Sequence, residues 1–131
     1  MKIKELSLQN IFNAAWQRFV VELAKPAIYN GSCQYITNTS EMCAVGCALP
    51  DELLKEIVKE HLNGAPFSGI VSMYPKYFAN DILASHREVL NEFQACLHDN
   101  IESLLGQSEH KEEVKDLYMK VAQRFNLTVP E

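Results

Sequence analysis

The sequence has no long run of hydrophobic residues. Its most apolar stretch, near the N-terminus, is interrupted by Gln17, Arg18 and Glu22. A helix that spans a membrane requires about 20 consecutive, mainly apolar residues, so the sequence predicts no membrane span. The first 12 residues also lack the apolar segment and small-residue cleavage site of a signal peptide. We therefore expect a cytoplasmic protein whose cysteines are reduced thiols.

Clustered basic charge is also missing. The chain has 12 lysines and arginines against 17 acidic residues, a net charge of −5, and acids interleave even its most basic stretch, "KEEVKDLYMK". Because phosphate contacts supply much of the affinity for nucleic acids, we predict no direct binding of DNA or RNA. An acidic surface is compatible with a protein partner that has a basic site.

Glycine-rich motifs are absent as well. Neither "FSG" nor "YNGSCQY" matches the G-x-x-x-x-G-K-[ST] pattern of a phosphate-binding loop, so the sequence predicts no nucleotide site, and we expect no cofactor. The 131 residues contain no internal repeat and no domain boundary. Their number and their 47% hydrophobic content are typical of one globular domain, here residues 1–131.

Apolar residues recur with helical spacing in four parts of the chain. The first predicted helix follows Ser7, a candidate N-cap, and ends before Lys25-Pro26. The second begins at Pro50-Asp51 and ends at Asn63-Gly64. The third and longest begins at Asn80, with a bend or break expected after Asp99, and the last follows Ser108.

Residues 29–46, "YNGSCQYITNTSEMCAVG", separate the first two helices. Their β-branched and aromatic residues on either side of the polar "NTSE" turn predict a small two-stranded β-hairpin. The predicted fold class is therefore α+β, mostly helical, with an all-α classification left open.

The four cysteines suggest a metal site only as an alternative. Structural zinc sites commonly contain C-x2-C pairs, whereas Cys33, Cys43 and Cys47 are spaced C-x9-C-x3-C. A hairpin could place Cys33 beside Cys43, a helix could place Cys47 on the same face, and His98 could supply a fourth ligand. The favoured interpretation is that the cysteines pack as small hydrophobic residues.

A second alternative is catalysis by a cysteine. Cys43 lies near a predicted helix start, where backbone N–H groups would stabilise its thiolate, and His98 or His86 could act as the base. Asp99 follows His98 directly, however, and neighbouring side chains on a helix point about 100° apart. The sequence therefore contains no ready-made catalytic dyad.

Residues 63–78 are predicted to form an irregular loop, which contains four aromatic residues. They are Phe67, Tyr74, Tyr77 and Phe78. Tyrosine and phenylalanine supply contact area at low entropic cost, so the loop is a candidate binding surface or the lining of a small-ligand pocket. The favoured alternative is that these rings pack into the helical core.

The order of several short motifs resembles a family of small uncharacterised proteins of tailed bacteriophages and prophages. Members of that family carry a C-x-Y-R strand and a C-A-I-G-x-L-I-P-D-E segment. Two differences are that Ile36 replaces the usual arginine and that "NTSE" lacks the usual glycine. The matching segments are "LQNIF", "CQYI", "CAVGCALPDE", "HDN" and "VAQRFNL".

The resemblance implies expression in the cytoplasm of a bacterial host. It also suggests that Gly46 and the cysteines permit close approach of the hairpin to the following helix, so that a bulky side chain at position 46 would clash. It favours a non-enzymatic accessory protein that binds a host or phage protein and modulates or inhibits it. Interference with host regulation or host defence would be an example of such a role. The alternatives are a cysteine-dependent enzyme that uses Cys43 with His98 and a protein that sequesters a small ligand. The apolar stripes of the helices also permit a homodimer.

Overall fold

Helices make up most of the computed structural model. It describes residues 6–23, 28–29, 32–33, 35–36, 42–63, 65–99, 101 and 104–130. The α-helices are α1 (Leu8–Ala15), α2 (Asp51–Lys59), α3 (Phe67–Met73), α4 (Asn80–Leu83), α5 (Arg87–Gln94) and α6 (Lys111–Arg124). Wider π-helical turns continue α1 over Trp16–Val21 and α5 over Ala95–Asp99. Short 3-10 helices occupy Gly46–Ala48, Pro75–Tyr77 and Ser108–His110.

The predicted α+β class is wrong, because the described chain is helical and contains almost no extended pairing. Strands β1 (Ile28–Tyr29) and β2 (Ser32–Cys33) form an antiparallel ladder of only two residue pairs. Of the hairpin predicted around "NTSE", the described residues contain one antiparallel bridge, between Ile36 and Met42, and residues 37–41 lie outside the described residues.

Local hydrogen bonds explain why the second predicted strand does not form. The backbone N–H of Cys47 donates to the carbonyl of Cys43 at 3.0 Å, and that of Ala48 donates to Val45 at 3.0 Å. These groups are therefore paired within one turn and are not available to a neighbouring strand. The alanines and glycine of this segment also have low β propensity, so the turn is the better local structure.

The start of α1 confirms the predicted N-cap. The Ser7 hydroxyl accepts a hydrogen bond from the backbone N–H of Asn10 at 3.1 Å, and the Ser7 N–H donates to the Asn10 side chain at 3.0 Å. This capping box satisfies two of the N–H groups that a helix start leaves unpaired. The predicted helix end at Lys25-Pro26 lies outside the described residues.

The predicted long helix from Asn80 is two helices, α4 and α5. His86 separates them, because its backbone is extended (φ −65°, ψ 145°) and its imidazole Nδ1 accepts a hydrogen bond from the N–H of Glu88 at 3.2 Å. Residue 86 therefore acts as the N-cap of a new helix, a role that the apolar spacing did not reveal. The loop predicted to be irregular, residues 63–78, also contains α3 and a 3-10 turn.

Side chains from all six α-helices pack into one hydrophobic cluster. Helix α6 contributes the predicted stripe, of which Val114, Tyr118, Val121 and Ala122 are buried. Tyr118 lies against Phe12 of α1, with ring centroids 6.0 Å apart.

Among the helices of the described residues, none combines the length and the hydrophobicity that a membrane span requires.

Candidate functional site

The segment that contains Cys43 and Cys47 packs against the backbone of Tyr35. The Cys43 N–H donates to the carbonyl of Tyr35 at 3.4 Å, and the Gly46 N–H donates to the Cys43 sulfur at 3.1 Å. A Cβ atom added to Gly46 would overlap the Tyr35 carbonyl oxygen and would lie 2.8 Å from its carbonyl carbon. The predicted requirement for close approach at Gly46 is therefore confirmed.

His98 is attached to this same segment. The Ala44 N–H donates to His98 Nδ1 at 3.2 Å, and the imidazole makes an edge-on contact with Phe19 at 5.9 Å between ring centroids. The structure thus brings His98 to the residue that follows Cys43, although 54 positions separate Ala44 from His98 in the chain. Both Cys43 and His98 are completely buried, with 0% exposure.

The environment of His98 favours a neutral imidazole. Burial lowers its pKa from 6.5 to about 4, because a charged ring would lose its hydration. Since Nδ1 accepts the hydrogen bond from Ala44, the proton of the neutral ring is on Nε2. The Nδ1 lone pair therefore accepts a hydrogen bond from the backbone, and it is not available to remove a proton from Cys43.

Cys47 is held as a thiol. Burial, with a smaller contribution from the neighbouring Cys43, raises its pKa to about 12, and Arg18 opposes this shift only in part. The thiol also donates to the Ala44 carbonyl at 3.2 Å. A nucleophilic cysteine needs the opposite shift, so the surroundings of Cys47 favour packing.

Tyr118 of α6 lies near Cys43 and Cys47. Its hydroxyl donates to the carbonyl of Leu97 at 2.7 Å, and its ring is fully buried. Burial raises the pKa of Tyr118 well above its ordinary value, and the nearby Cys47 and Cys43 add to the shift. The Cys43, His98 and Tyr118 side chains are therefore all buried in the core, with the half-buried Cys47 near Tyr118.

The metal alternative finds little support in this geometry. Over the part of the chain that the structure describes, no three His, Cys, Asp or Glu side chains are grouped so that they could hold a metal ion. This includes Cys43, Cys47 and His98. The side chain of Cys33, the remaining ligand of that hypothesis, lies outside the described residues.

The four aromatic residues proposed as a binding surface have different environments. Phe67, Tyr77 and Phe78 are buried, and Phe67 packs edge-on against Phe78 with centroids 5.8 Å apart. These three rings belong to the core and cannot meet a partner. Tyr74 is half-buried, so it is the one member of the four that offers surface.

An open apolar groove along α2 was not anticipated from the sequence. It has a volume of about 370 Å³ and is lined by Ile36, Asp51, Leu54, Lys55, Val58 and Lys59. Val58 is 50% exposed, whereas Leu54 beside it is buried. The detectable signal was the i, i+4 pair of Leu54 and Val58 next to a second i, i+4 pair of lysines, Lys55 and Lys59.

Comparisons with protein-family models, with curated proteins and with solved structures gave no match for this chain. The resemblance to phage and prophage proteins therefore stays a prediction based on sequence motifs.

Proposed function

We propose that this chain is a non-enzymatic binding protein of the phage or prophage type that docks onto a bacterial host protein and modulates or inhibits it. The groove along α2 carries this proposal, because it exposes Val58 at the protein surface next to the buried Leu54. An apolar patch bordered by charged residues is a common property of protein-binding surfaces.

The position of Ile36 adds to this argument. The phage-type proteins that the sequence resembles usually carry an arginine at this place, and here an isoleucine lines the groove. The replacement exchanges a cation for an apolar side chain in the wall. Ile36 therefore adds to the apolar part of the lining that Leu54 and Val58 provide.

The shape of the groove favours a protein over a small ligand. Sites for small molecules enclose most of the ligand surface. In contrast, the wall residues Asp51, Lys55, Val58 and Lys59 are all exposed, so a small molecule in this groove would remain in contact with water. A helix or loop of a partner would cover the groove from outside and would bury Val58.

The closed core argues against the cysteine-dependent enzyme. A substrate would need to reach Cys43 and His98, and both side chains have 0% exposure. In addition, His98 Nδ1 is engaged by the backbone. The same features are compatible with a structural role for the "CAVGCAL" segment.

The test is affinity capture from a bacterial lysate with three immobilised proteins: the wild type, Val58→Glu and Val89→Glu. Val89 is an exposed valine of α5 (41% exposed), so Val89→Glu introduces the same charge on another helix. We expect the wild type and Val89→Glu to retain the same host protein, quantified by mass spectrometry, and Val58→Glu to lose it. Equal retention by Val58→Glu, or no protein retained by any of the three, would refute the proposal.

A further inference from the structure

We propose that the occupant of the α2 groove is an acidic amphipathic helix of the partner protein. Its apolar side chains would contact Leu54 and Val58, and its carboxylates would pair with Lys55 and Lys59. This inference depends on the proposed function, and it specifies the chemistry of the partner.

The arrangement of α2 provides the first argument. Residues four apart lie on one face of a helix, so Lys55 and Lys59 form a row beside the row of Leu54 and Val58. Both lysines line the groove and are exposed. An amphipathic helix laid along α2 would present its own i, i+3 and i+4 rows to these two rows.

The second argument is that both lysines are available for pairing. Among the residues that the structure describes, no carboxylate oxygen lies within 4.0 Å of the ammonium group of Lys55 or Lys59. By comparison, Arg124 is already paired with Glu92 at 2.9 Å. A partner carboxylate could therefore bind either lysine without breaking an existing ion pair.

The overall charge of −5 favours basic partners at long range, but the groove reverses this preference at contact distance. Salt at physiological ionic strength screens exposed charges beyond about 8 Å, so the nearest charges decide which sequence fits. A basic helix in the groove would bring its cations against Lys55 and Lys59. Asp51 is the one acidic residue of α2 in the groove lining, where the two lysines outnumber it, and Glu52 and Glu56 lie outside that lining.

A second copy of this chain fits the groove less well than a foreign helix. In a two-fold symmetric dimer with antiparallel α2 helices centred on the groove, Lys55 would face Lys55 of the other copy at the centre, although Asp51 would face Lys59 at each end. Each copy would also add a net charge of −5. A foreign acidic segment avoids the lysine contact.

Two synthetic peptides of about 20 residues test the charge preference. Both carry the same leucine stripe, and the flanking positions are glutamate in one and lysine in the other. Binding is measured by fluorescence anisotropy at physiological ionic strength, and the binding site is located from backbone amide shifts in NMR spectra. The protein variants are Lys55→Glu/Lys59→Glu and, as the matched control, Lys111→Glu/Lys115→Glu on α6, which makes the same change in net charge at another exposed i, i+4 pair.

We expect the wild type to bind the glutamate peptide about tenfold more tightly than the lysine peptide, with the largest shifts at Leu54 and Val58. The double variant in α2 should reverse this preference, and the double variant in α6 should keep it. The proposal is refuted if the lysine peptide binds equally well, if both Kd values exceed about 1 mM, or if the α6 variant loses the preference too.

A second copy in the groove would also refute the proposal, and it would appear as a wild-type dimer in sedimentation that Val58→Glu dissociates. These results can be separated from failure of the proposed function. If Val58→Glu loses a host protein but neither peptide binds, the groove is a binding site whose partner is not an acidic helix. If the host protein is also unaffected, both proposals fail.

Discussion

The carbonyl group of Tyr35 lies directly against the Cα of Gly46, so close that no side chain fits between them. Gly46 belongs to the 3-10 turn Gly46–Ala48. Tyr35 directly precedes Ile36, which lines the α2 groove. The N–H of Cys43 donates to the same Tyr35 carbonyl. The contacts of the Tyr35 carbonyl therefore connect the cysteine-containing turn to the residue before Ile36.

Replacement of Gly46 by alanine should destabilise the protein. The new methyl group would overlap backbone atoms of Tyr35, which cannot rotate away as a flexible side chain could. Overpacking of this kind costs about 1–3 kcal/mol in the free energy of unfolding. Urea denaturation of Gly46→Ala and the wild type measures this cost directly.

Gly69→Ala is the matched control for that experiment. Gly69 lies inside α3, and an added Cβ would be 3.8 Å from the Pro66 Cγ, which is an ordinary contact. Because alanine is the better helix former, we expect this variant to gain about 0.5–1 kcal/mol. Equal stabilities for the two variants would contradict the close approach at Gly46.

Acid should destabilise the protein through His98. Its pKa is about 4 in the folded chain and 6.5 when exposed, so the unfolded chain binds the proton more tightly between these values. The stability that depends on a neutral His98 is therefore complete above pH 6.5 and is lost as the pH falls toward 4. The loss amounts to about 3 kcal/mol, measurable as urea stability at a series of pH values.

The variant His98→Asn isolates this contribution. The asparagine oxygen can accept the hydrogen bond from Ala44, but it does not titrate. We expect a flatter pH dependence between pH 6.5 and 4, whatever the absolute stability. His61→Asn, at an exposed left-handed position that asparagine tolerates, should keep the slope of the wild type. An unchanged slope in His98→Asn would show that His98 does not titrate in this way.

Alkylation with iodoacetamide at neutral pH should label Cys96 before Cys43 and Cys47. Cys96 is partly exposed, whereas Cys43 has 0% exposure and Cys47 has a pKa of about 12. Peptide mapping by mass spectrometry gives the order of labelling, and urea should remove the protection of Cys43 and Cys47. Faster labelling of Cys43 than of Cys96 would instead support the enzyme that uses Cys43 with His98.

Replacement of Gln94 by leucine should destabilise the packing of α3 on α5. The Gln94 side chain accepts a hydrogen bond from the N–H of Phe67 at 3.0 Å and donates one to the Tyr35 hydroxyl at 3.4 Å, and it is only 7% exposed. Leucine would leave the Phe67 N–H buried without this acceptor, which costs about 1–3 kcal/mol. Thermal denaturation measures the loss.

Gln123→Leu provides the comparison, because Gln123 is exposed on α6. We expect this change to leave the free energy of unfolding within about 0.5 kcal/mol of the wild type. If both glutamine variants were equally stable, the buried hydrogen bonds of Gln94 would not contribute to stability.

Much of the helical structure could be predicted from the sequence, because its signals are local. The capping box at Ser7, the helix start at Pro50-Asp51 and the buried stripe of α6 depend on residues within one or two helical turns of each other. The break at His86 was not predicted, and the turn at residues 43–48 includes positions that the sequence assigned to the hairpin. In both places a hydrogen bond made by one side chain or one short turn outweighs the average propensity of the surrounding residues.

The sequence by itself determined the helical periodicity and the net charge of −5. Only the tertiary structure decided that the Tyr35 carbonyl lies against Gly46, that Cys43, His98 and Tyr118 are all buried in the core, and that Leu54 and Val58 line a groove. Burial and pKa depend on neighbours from distant parts of the chain, such as Ala44 and His98. No local pattern contains that information, because desolvation is a property of the assembled core.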